Sequence, residues 1–131
     1  MEFLSVIAAA VANFAFGAVW YMVLAKPWMA ASGVEVGENG QPANQSDPIP
    51  YITSFIAAVL VAGMMRHVFA LSGIDTLGKG LLSGLGVGLF FVTPWIATFY
   101  GFGGRPRKLL LIDGGYATFG SAVIGGVLML F

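Results

Sequence analysis

The sequence contains no cysteine, a single histidine and few charged residues. Without cysteine, the chain has no disulfides, no thiolate nucleophile and no cysteine-ligated metal site. One histidine also excludes a multi-histidine metal site within one chain. The six basic residues only balance the six acidic ones, so no basic excess points to nucleic acid. We therefore expect no metal, no cofactor and no nucleic-acid partner.

The scarcity of charge indicates the class of protein. Charged residues make up 9% of the 131 residues and hydrophobic residues 58%, whereas a soluble domain carries roughly 25% charged residues. The mean hydropathy is +0.88. Such a chain has too little polar surface to remain in water, so we expect the lipid bilayer to be its solvent.

Four apolar stretches are long enough to cross a membrane, which takes about 20 helical residues for about 30 Å of hydrocarbon. They are residues 3–24, 51–69, 77–99 and 109–131. Backbone groups in lipid must be paired within the protein, and the runs are continuous rather than alternating, so they predict helices and not a β-barrel. The first run lacks the basic start of a signal peptide, so we expect it to be retained. The predicted fold is all-α: one domain, a polytopic membrane protein whose four helices form a bundle packed through small residues.

The first loop, residues 25–50, is the sizeable segment outside the membrane, and its prolines, glycines and acids predict an irregular conformation. We call the membrane side that carries the first and third loops face B, and the opposite side face A. Face B carries the basic residues Lys26, Arg105, Arg107 and Lys108, and face A carries Arg66 and Lys79. Basic residues favour the cytoplasmic side. We therefore expect face B to be cytoplasmic and both termini to be periplasmic.

Small residues recur at four-residue spacing in the last two spans. The candidate packing residues are Gly80, Gly84 and Gly88 in the third span, and Gly114, Ala122 and Gly126 in the fourth, where Thr118 completes the four-residue spacing. Lipid provides no hydrophobic drive for helix association, so close backbone approach has to supply it. We interpret the third-span stripe as a glycine zipper that packs one bundle together. The alternative is a face for self-association.

Polar and aromatic residues gather toward face B. The candidate ligand-binding residues are Asn13, Trp20, Tyr21, Trp95, Asp113 and Tyr116. The aromatic rings either form an interfacial belt at headgroup level or line a pocket at this end of the bundle. Asn13, midway along the first span, either forms an interhelical hydrogen bond worth about 1 kcal/mol or contacts a polar ligand group.

Asp113 lies one turn inside the fourth span, where an ionisable residue is costly and is a functional candidate by default. An unpaired carboxylate would be expensive at this depth. We therefore predict an ion pair between Asp113 and Lys26, Arg105, Arg107 or Lys108, at the floor of the aromatic pocket. An enzyme would need a nucleophile, an acid–base group or a metal site, and Asp113 is the only candidate for any of these. We therefore assign no residue a catalytic role.

Two stretches resemble a known family. Residues 13–28 contain Gly17, two apolar residues, then Trp20 and Tyr21, followed by the Lys26-Pro27-Trp28 segment. This resembles the opening signature of a family of small bacterial membrane proteins, catalogued as domain of unknown function 1761. Residues 104–106 and 111–116 are similar to the family's third loop and last helix. The resemblance implies a four-helix inner-membrane protein and no particular activity.

Three hypotheses for function follow. The first is a non-enzymatic accessory subunit or binding module, with membrane lipids and either further copies of the chain or a larger membrane complex as partners. The second is a small oligomeric transporter for a hydrophobic or amphipathic solute. Four-helix exporters of similar size use a carboxylate in the first helix, where this chain has Asn13, which cannot titrate. The third is an enzyme acting on lipid or quinone. The small loops and the lack of catalytic groups favour the first hypothesis.

Overall fold

The computed structural model describes the backbone of residues 2–131 and the side chains of residues 3–131. The helices are α1 (Glu2–Val23), α2 (Ala25–Ser32), α3 (Ile49–Leu71), α4 (Leu77–Gly86), α5 (Thr93–Phe102) and α6 (Arg107–Leu128), and a π-helical segment, Val87–Val92, joins α4 to α5. Within the described residues, four helical stretches are long and apolar enough to span a membrane: α1, α3, the continuous stretch Leu77–Phe102, and α6. The predicted fold class, an all-α polytopic membrane protein with four spans, is confirmed.

The first loop is not irregular throughout, so that part of the prediction for residues 25–50 is wrong. Its first eight residues form α2. Pro27 lies in the first turn of this helix, where its missing N–H is not needed. The helix ends at Gly33, whose φ of 71° is the left-handed conformation that glycine adopts at helix ends. The chain then folds back on itself through an antiparallel bridge between Val36 and Pro42.

Helix α6 is the axis of the bundle, because it packs against every other helix. Of the 18-residue apolar segment in each span, 44% is buried within the protein in α6, 28% in α1, 22% in α3 and 17% in the third span. The buried core toward face A consists of Val6, Ala9, Ala62, Met65, Phe69, Ile124 and Leu128. The other spans therefore leave most of their apolar side chains for lipid, or for partners within the membrane.

The closest helix contact joins the third span to α6. A Cβ atom built on Gly80, Gly84 or Gly88 would collide with a main-chain carbonyl oxygen of α6; these oxygens belong to Gly125, Ser121 and Ala117, respectively. Carbonyls spaced by four residues thus face glycines spaced by four. Such contact brings backbone against backbone and allows weak Cα–H···O hydrogen bonds. The separation of the two helices is therefore set by main-chain atoms, which cannot rotate away.

The π-helical segment lies directly before a proline. Pro94 lacks a backbone N–H and crowds the preceding turn, and a π turn is one way to accommodate such a disturbance. Thr93 Oγ1 lies 2.7 Å from the Gly88 carbonyl oxygen and 3.3 Å from Thr118 Oγ1. Its methyl group also fills the space above Gly114, since a Cβ there would lie 2.9 Å from Thr93 Cγ2. Thr93 therefore fastens the widened turn to α6.

Candidate functional site

Asp113 joins three of the four spans at face B. It lies six residues after the start of α6 at Arg107, which is a depth of about 9 Å along the helix. The Tyr21 hydroxyl donates a hydrogen bond to its Oδ1 atom at 2.6 Å, and the Tyr100 hydroxyl donates to Oδ2 at 2.5 Å. The two tyrosines belong to α1 and α5. Each carboxylate oxygen thus accepts one hydrogen bond from a tyrosine.

The predicted ion pair of Asp113 is wrong. The expected partners are Lys26, Arg105, Arg107 and Lys108. All four are exposed, and the only ion pair among the described residues is Lys79–Asp75 at face A. Arg105 instead donates to the main-chain carbonyl of Ser32 at the end of α2. The physical reason is cost: the two hydroxyls give the carboxylate hydrogen bonds at that depth, whereas a basic side chain would have to leave water to reach it.

A second set of hydrogen bonds continues toward the membrane centre. The Asn13 side-chain amide donates to the Tyr116 hydroxyl at 2.9 Å. The Trp20 indole N–H donates to the Ile112 carbonyl at 3.0 Å. The Tyr21 and Tyr116 rings pack edge to face with centroids 5.3 Å apart. The structure thus brings together five of the six candidate residues and adds Tyr100. We call Asn13, Trp20, Tyr21, Tyr100, Asp113 and Tyr116 the face B cluster.

Three glycines make room for this cluster. A Cβ atom on Gly17 would lie 2.9 Å from Tyr116 Cε1, and one on Gly115 would lie 2.7 Å from Trp20 Cζ2. A Cβ atom on Gly120 would lie 2.5 Å from Asn13 Oδ1. These positions were not predicted as site residues. The available signal is the glycine one turn before Trp20 in α1, and the glycines that flank Tyr116 in α6.

Trp95 does not belong to the cluster. Its side chain is 64% exposed on the outer surface of α5 and stacks on Phe99, with centroids 6.0 Å apart. Tyr100 follows Trp95 by five residues, which is about 140° around a helix with 3.6 residues per turn. When one of these two rings faces lipid, the other faces the bundle. Trp95, a predicted ligand-binding residue, thus lies apart from the cluster, and Tyr100 takes part in it.

A cavity of about 180 Å³ lies at the level of Asn13, between α3, the π-helical segment and α6. Its lining includes Ser54, Val92, Tyr116 and Ala117. The Asn13 Oδ1 atom is buried and has no hydrogen-bond partner among the described residues. This oxygen faces the Cα atom of Gly120, which offers only a weak C–H contact. Polar groups therefore extend from Asp113 at face B to the middle of the first span.

The chemistry of the site is that of a carboxylate among aromatic rings. The Tyr21 ring contacts the Trp28 ring edge to face, with centroids 6.1 Å apart, so α2 also contributes to the surroundings. Carboxylates attract cations, and the faces of tyrosine and tryptophan rings do so as well. The described residues contain no group of three or more side chains suited to hold a metal ion. A carboxyl group beside aromatic ring faces is an arrangement that suits a positively charged group.

Comparison with known proteins places the chain in a family. Neither the curated proteins nor the solved structures yield a match. A family profile described as "Protein of unknown function (DUF1761)" matches residues 4–129. The match spans the four membrane helices and every residue of the face B cluster, and it confirms the resemblance to this family. The chain belongs to the DUF1761 family of proteins of unknown function.

Proposed function

We propose that this protein is a non-enzymatic membrane protein that works as a binding module, and that the face B cluster binds a cationic group. The observation that carries the proposal is the environment of Asp113. A carboxylate inside a span is held by two tyrosine hydroxyls, and no basic side chain among the described residues is paired to it. Ionisable residues within spans are functional candidates by default, and a carboxyl group with unused acceptor positions suits a cation.

The carboxylate has capacity for a further donor. Its two oxygens offer about four acceptor positions, and the two hydroxyls take one on each oxygen. The Tyr21 ring, whose hydroxyl holds the carboxylate, contacts the rings of Trp28 and Tyr116. A cation over such a ring gains about 0.5–2 kcal/mol, more when water is excluded. A ligand with a positive head and an apolar body would place its head at Asp113 and its body in lipid.

The same hydrogen bonds argue against catalysis. Both partners of Asp113 are phenols that position the carboxylate. Within the described residues, no hydrogen bond joins a serine, threonine or histidine to Asp113. A nucleophile activated by this carboxylate would need such a bond. The arrangement fits holding a charge better than transferring a proton to a reacting group.

The wider setting forms part of the proposal. The module lies in a bacterial inner membrane with both termini periplasmic, which the excess of basic residues at face B supports. It works with other membrane subunits, either copies of itself or a larger complex. In support, the third span is the least buried and exposes large rings such as Phe90, Phe91 and Phe102. The stripe of Gly80, Gly84 and Gly88 acts as a glycine zipper inside the bundle, because α6 already occupies that face.

The test uses two ions of the same shape and opposite charge, tetraphenylphosphonium and tetraphenylborate. Each is titrated into the protein in lipid nanodiscs, with empty nanodiscs as the blank. The protein should bind the cation and not the anion, and Asp113→Asn should weaken cation binding at least about tenfold, as for loss of a charged partner. The matched control is Asp47→Asn, an exposed acid on the same face whose role is to accept a bond from the Ile49 N–H. Equal binding of both ions, or equal effects of both variants, would refute the proposal.

A small oligomeric transporter remains the second candidate, and one observation favours it. Polar groups lead from Asp113 to Asn13, and the cavity of about 180 Å³ begins there. Such a route could pass an amphipathic cation toward the centre of the membrane. Uptake of tetraphenylphosphonium into proteoliposomes separates the two functions. Binding without uptake supports the binding module, whereas uptake that Asp113→Asn abolishes supports the transporter.

A further inference from the structure

A second site lies at the opposite end of the molecule. A groove of about 900 Å³ opens at face A between α1, α3 and the end of α6. Most of its walls are apolar; they include Val6, Ile7, Leu60, Met64, Phe69 and Leu128. Sites for small ligands typically measure about 300–1,000 Å³. The groove therefore has the size and lining to hold an acyl chain.

The polar end of this groove carries positive charge. Arg66 and His67 line it, near the end of α3. Arg66 Nε is buried and has no hydrogen-bond partner among the described residues. The acid in the lining is Asp75, and its carboxylate is already paired with Lys79 at 3.2 Å. The guanidinium is thus left without a counter-charge among the described side chains, which do not include that of Glu2.

The depth of the arginine matches a lipid headgroup. Arg66 lies five residues before the last residue of α3, Leu71, so it is about 8 Å from the helix end. Its stem can run along apolar surface while the guanidinium reaches the interface. A guanidinium also has the planar fork of donors that matches phosphate oxygens.

We infer that the face A groove binds an anionic phospholipid, with its phosphate at Arg66 and an acyl chain between α1 and α3. The apolar walls distinguish this occupant from a free anion, which would gain nothing from them. The arginine distinguishes it from an uncharged lipid, which would leave the guanidinium unpaired.

The first arm of the test measures lipid selectivity by native mass spectrometry of detergent-solubilised protein. The protein is supplied with equal phosphatidylglycerol and phosphatidylcholine. It should retain phosphatidylglycerol preferentially, and Arg66→Gln should reduce that preference roughly tenfold. Arg107→Gln, an exposed arginine at face B, is the matched control and should leave it unchanged. Inorganic phosphate should not compete; if it does, the site binds a free anion and the inference fails.

The second arm fills the groove. Gly63 lines it, and a Cβ atom on Gly63 meets nothing within 4 Å. Gly63→Leu should therefore fold and exclude the lipid. Gly78 is also open, with nothing within 4 Å of a Cβ, and it lies outside the groove. Gly78→Leu should retain the lipid.

Three further results would overturn the inference. One is equal loss of lipid in Gly63→Leu and Gly78→Leu. Another is an unchanged lipid preference in Arg66→Gln. The third is that Glu2→Gln and Arg66→Gln lower the melting temperature equally in both lipids, because Arg66 would then serve an ion pair within the chain.

Discussion

Replacing Gly84 with alanine should push the third span away from α6. The added Cβ atom would collide with the Ser121 carbonyl oxygen and lie 3.0 Å from the Ala122 Cα atom. Both obstacles are main-chain atoms, so no side-chain rotation can relieve the collision. Inserting a methylene into a packed core typically costs about 1–3 kcal/mol. The loss should be at the upper end, because the two helices would have to separate along their whole contact.

A neighbouring glycine provides the matched control. Gly86 lies two residues further along α4, and a Cβ atom there meets nothing within 4 Å. Alanine is favoured over glycine within a helix by about 0.5–1 kcal/mol, and this gain applies at both positions. It therefore cancels when the two variants are compared. Gly86→Ala should stabilise the protein, and Gly84→Ala should be less stable than Gly86→Ala by about 1–3 kcal/mol.

The assay is reversible unfolding in mixed micelles with increasing dodecyl sulfate, followed by circular dichroism. Gly84→Ala should unfold at a lower denaturant fraction than the parent, and Gly86→Ala at an equal or higher one. If Gly84→Ala is as stable as Gly86→Ala, Gly84 faces lipid and the backbone contact between the third span and α6 does not exist.

Three further predictions concern the face B cluster and the topology. Asp113→Asn should unfold like the parent, whereas Asp113→Leu should cost about 1–3 kcal/mol by leaving two hydroxyls without their acceptor; equal stability of the two variants would contradict this. Gly120→Ala should displace the Asn13 side chain and cost about 1 kcal/mol, and a destabilisation that persists in the Asn13→Ala background would refute it. In a chain without cysteine, Ser72→Cys at face A should react with an impermeant reagent from the periplasm and Ser46→Cys should not; the reverse result inverts the topology.

The length of the apolar runs was sufficient to predict the four spans. Backbone N–H and C=O groups in lipid must be hydrogen-bonded within the protein, so a continuous apolar run of this length has to be a helix. The same rule could not predict α2. Eight residues are too short for a span, and Pro27 and Gly33 are typical of a loop. In the structure Pro27 lies in the first turn and Gly33 caps the last turn, so both residues act as helix signals there.

The sequence was sufficient to predict most residues of the face B cluster, but not which of them form hydrogen bonds with each other. The spacing of Trp20, Tyr21 and Tyr116 placed those residues toward face B, and the structure brings them together around Asp113. The hydrogen bond from Tyr100 to Asp113 was not predictable, since it depends on how α5 is rotated. The π-helical segment precedes α5, and an extra residue in a helix turns everything after it by about 100°. Tyr100 consequently faces the bundle and Trp95 faces outward, a result that depends on tertiary packing.

The most direct test of the central claim is to locate a bound cation. Tetraphenylarsonium has the shape of the phosphonium probe, and its arsenic atom gives an anomalous diffraction signal. In crystals of the protein soaked with it, we expect one anomalous peak beside the Asp113 carboxylate, within about 6 Å of a tyrosine or tryptophan ring. The peak should be absent from Asp113→Asn crystals and present in Asp47→Asn crystals. A peak elsewhere, or one that persists in Asp113→Asn, would contradict the assignment of face B as a cation-binding site.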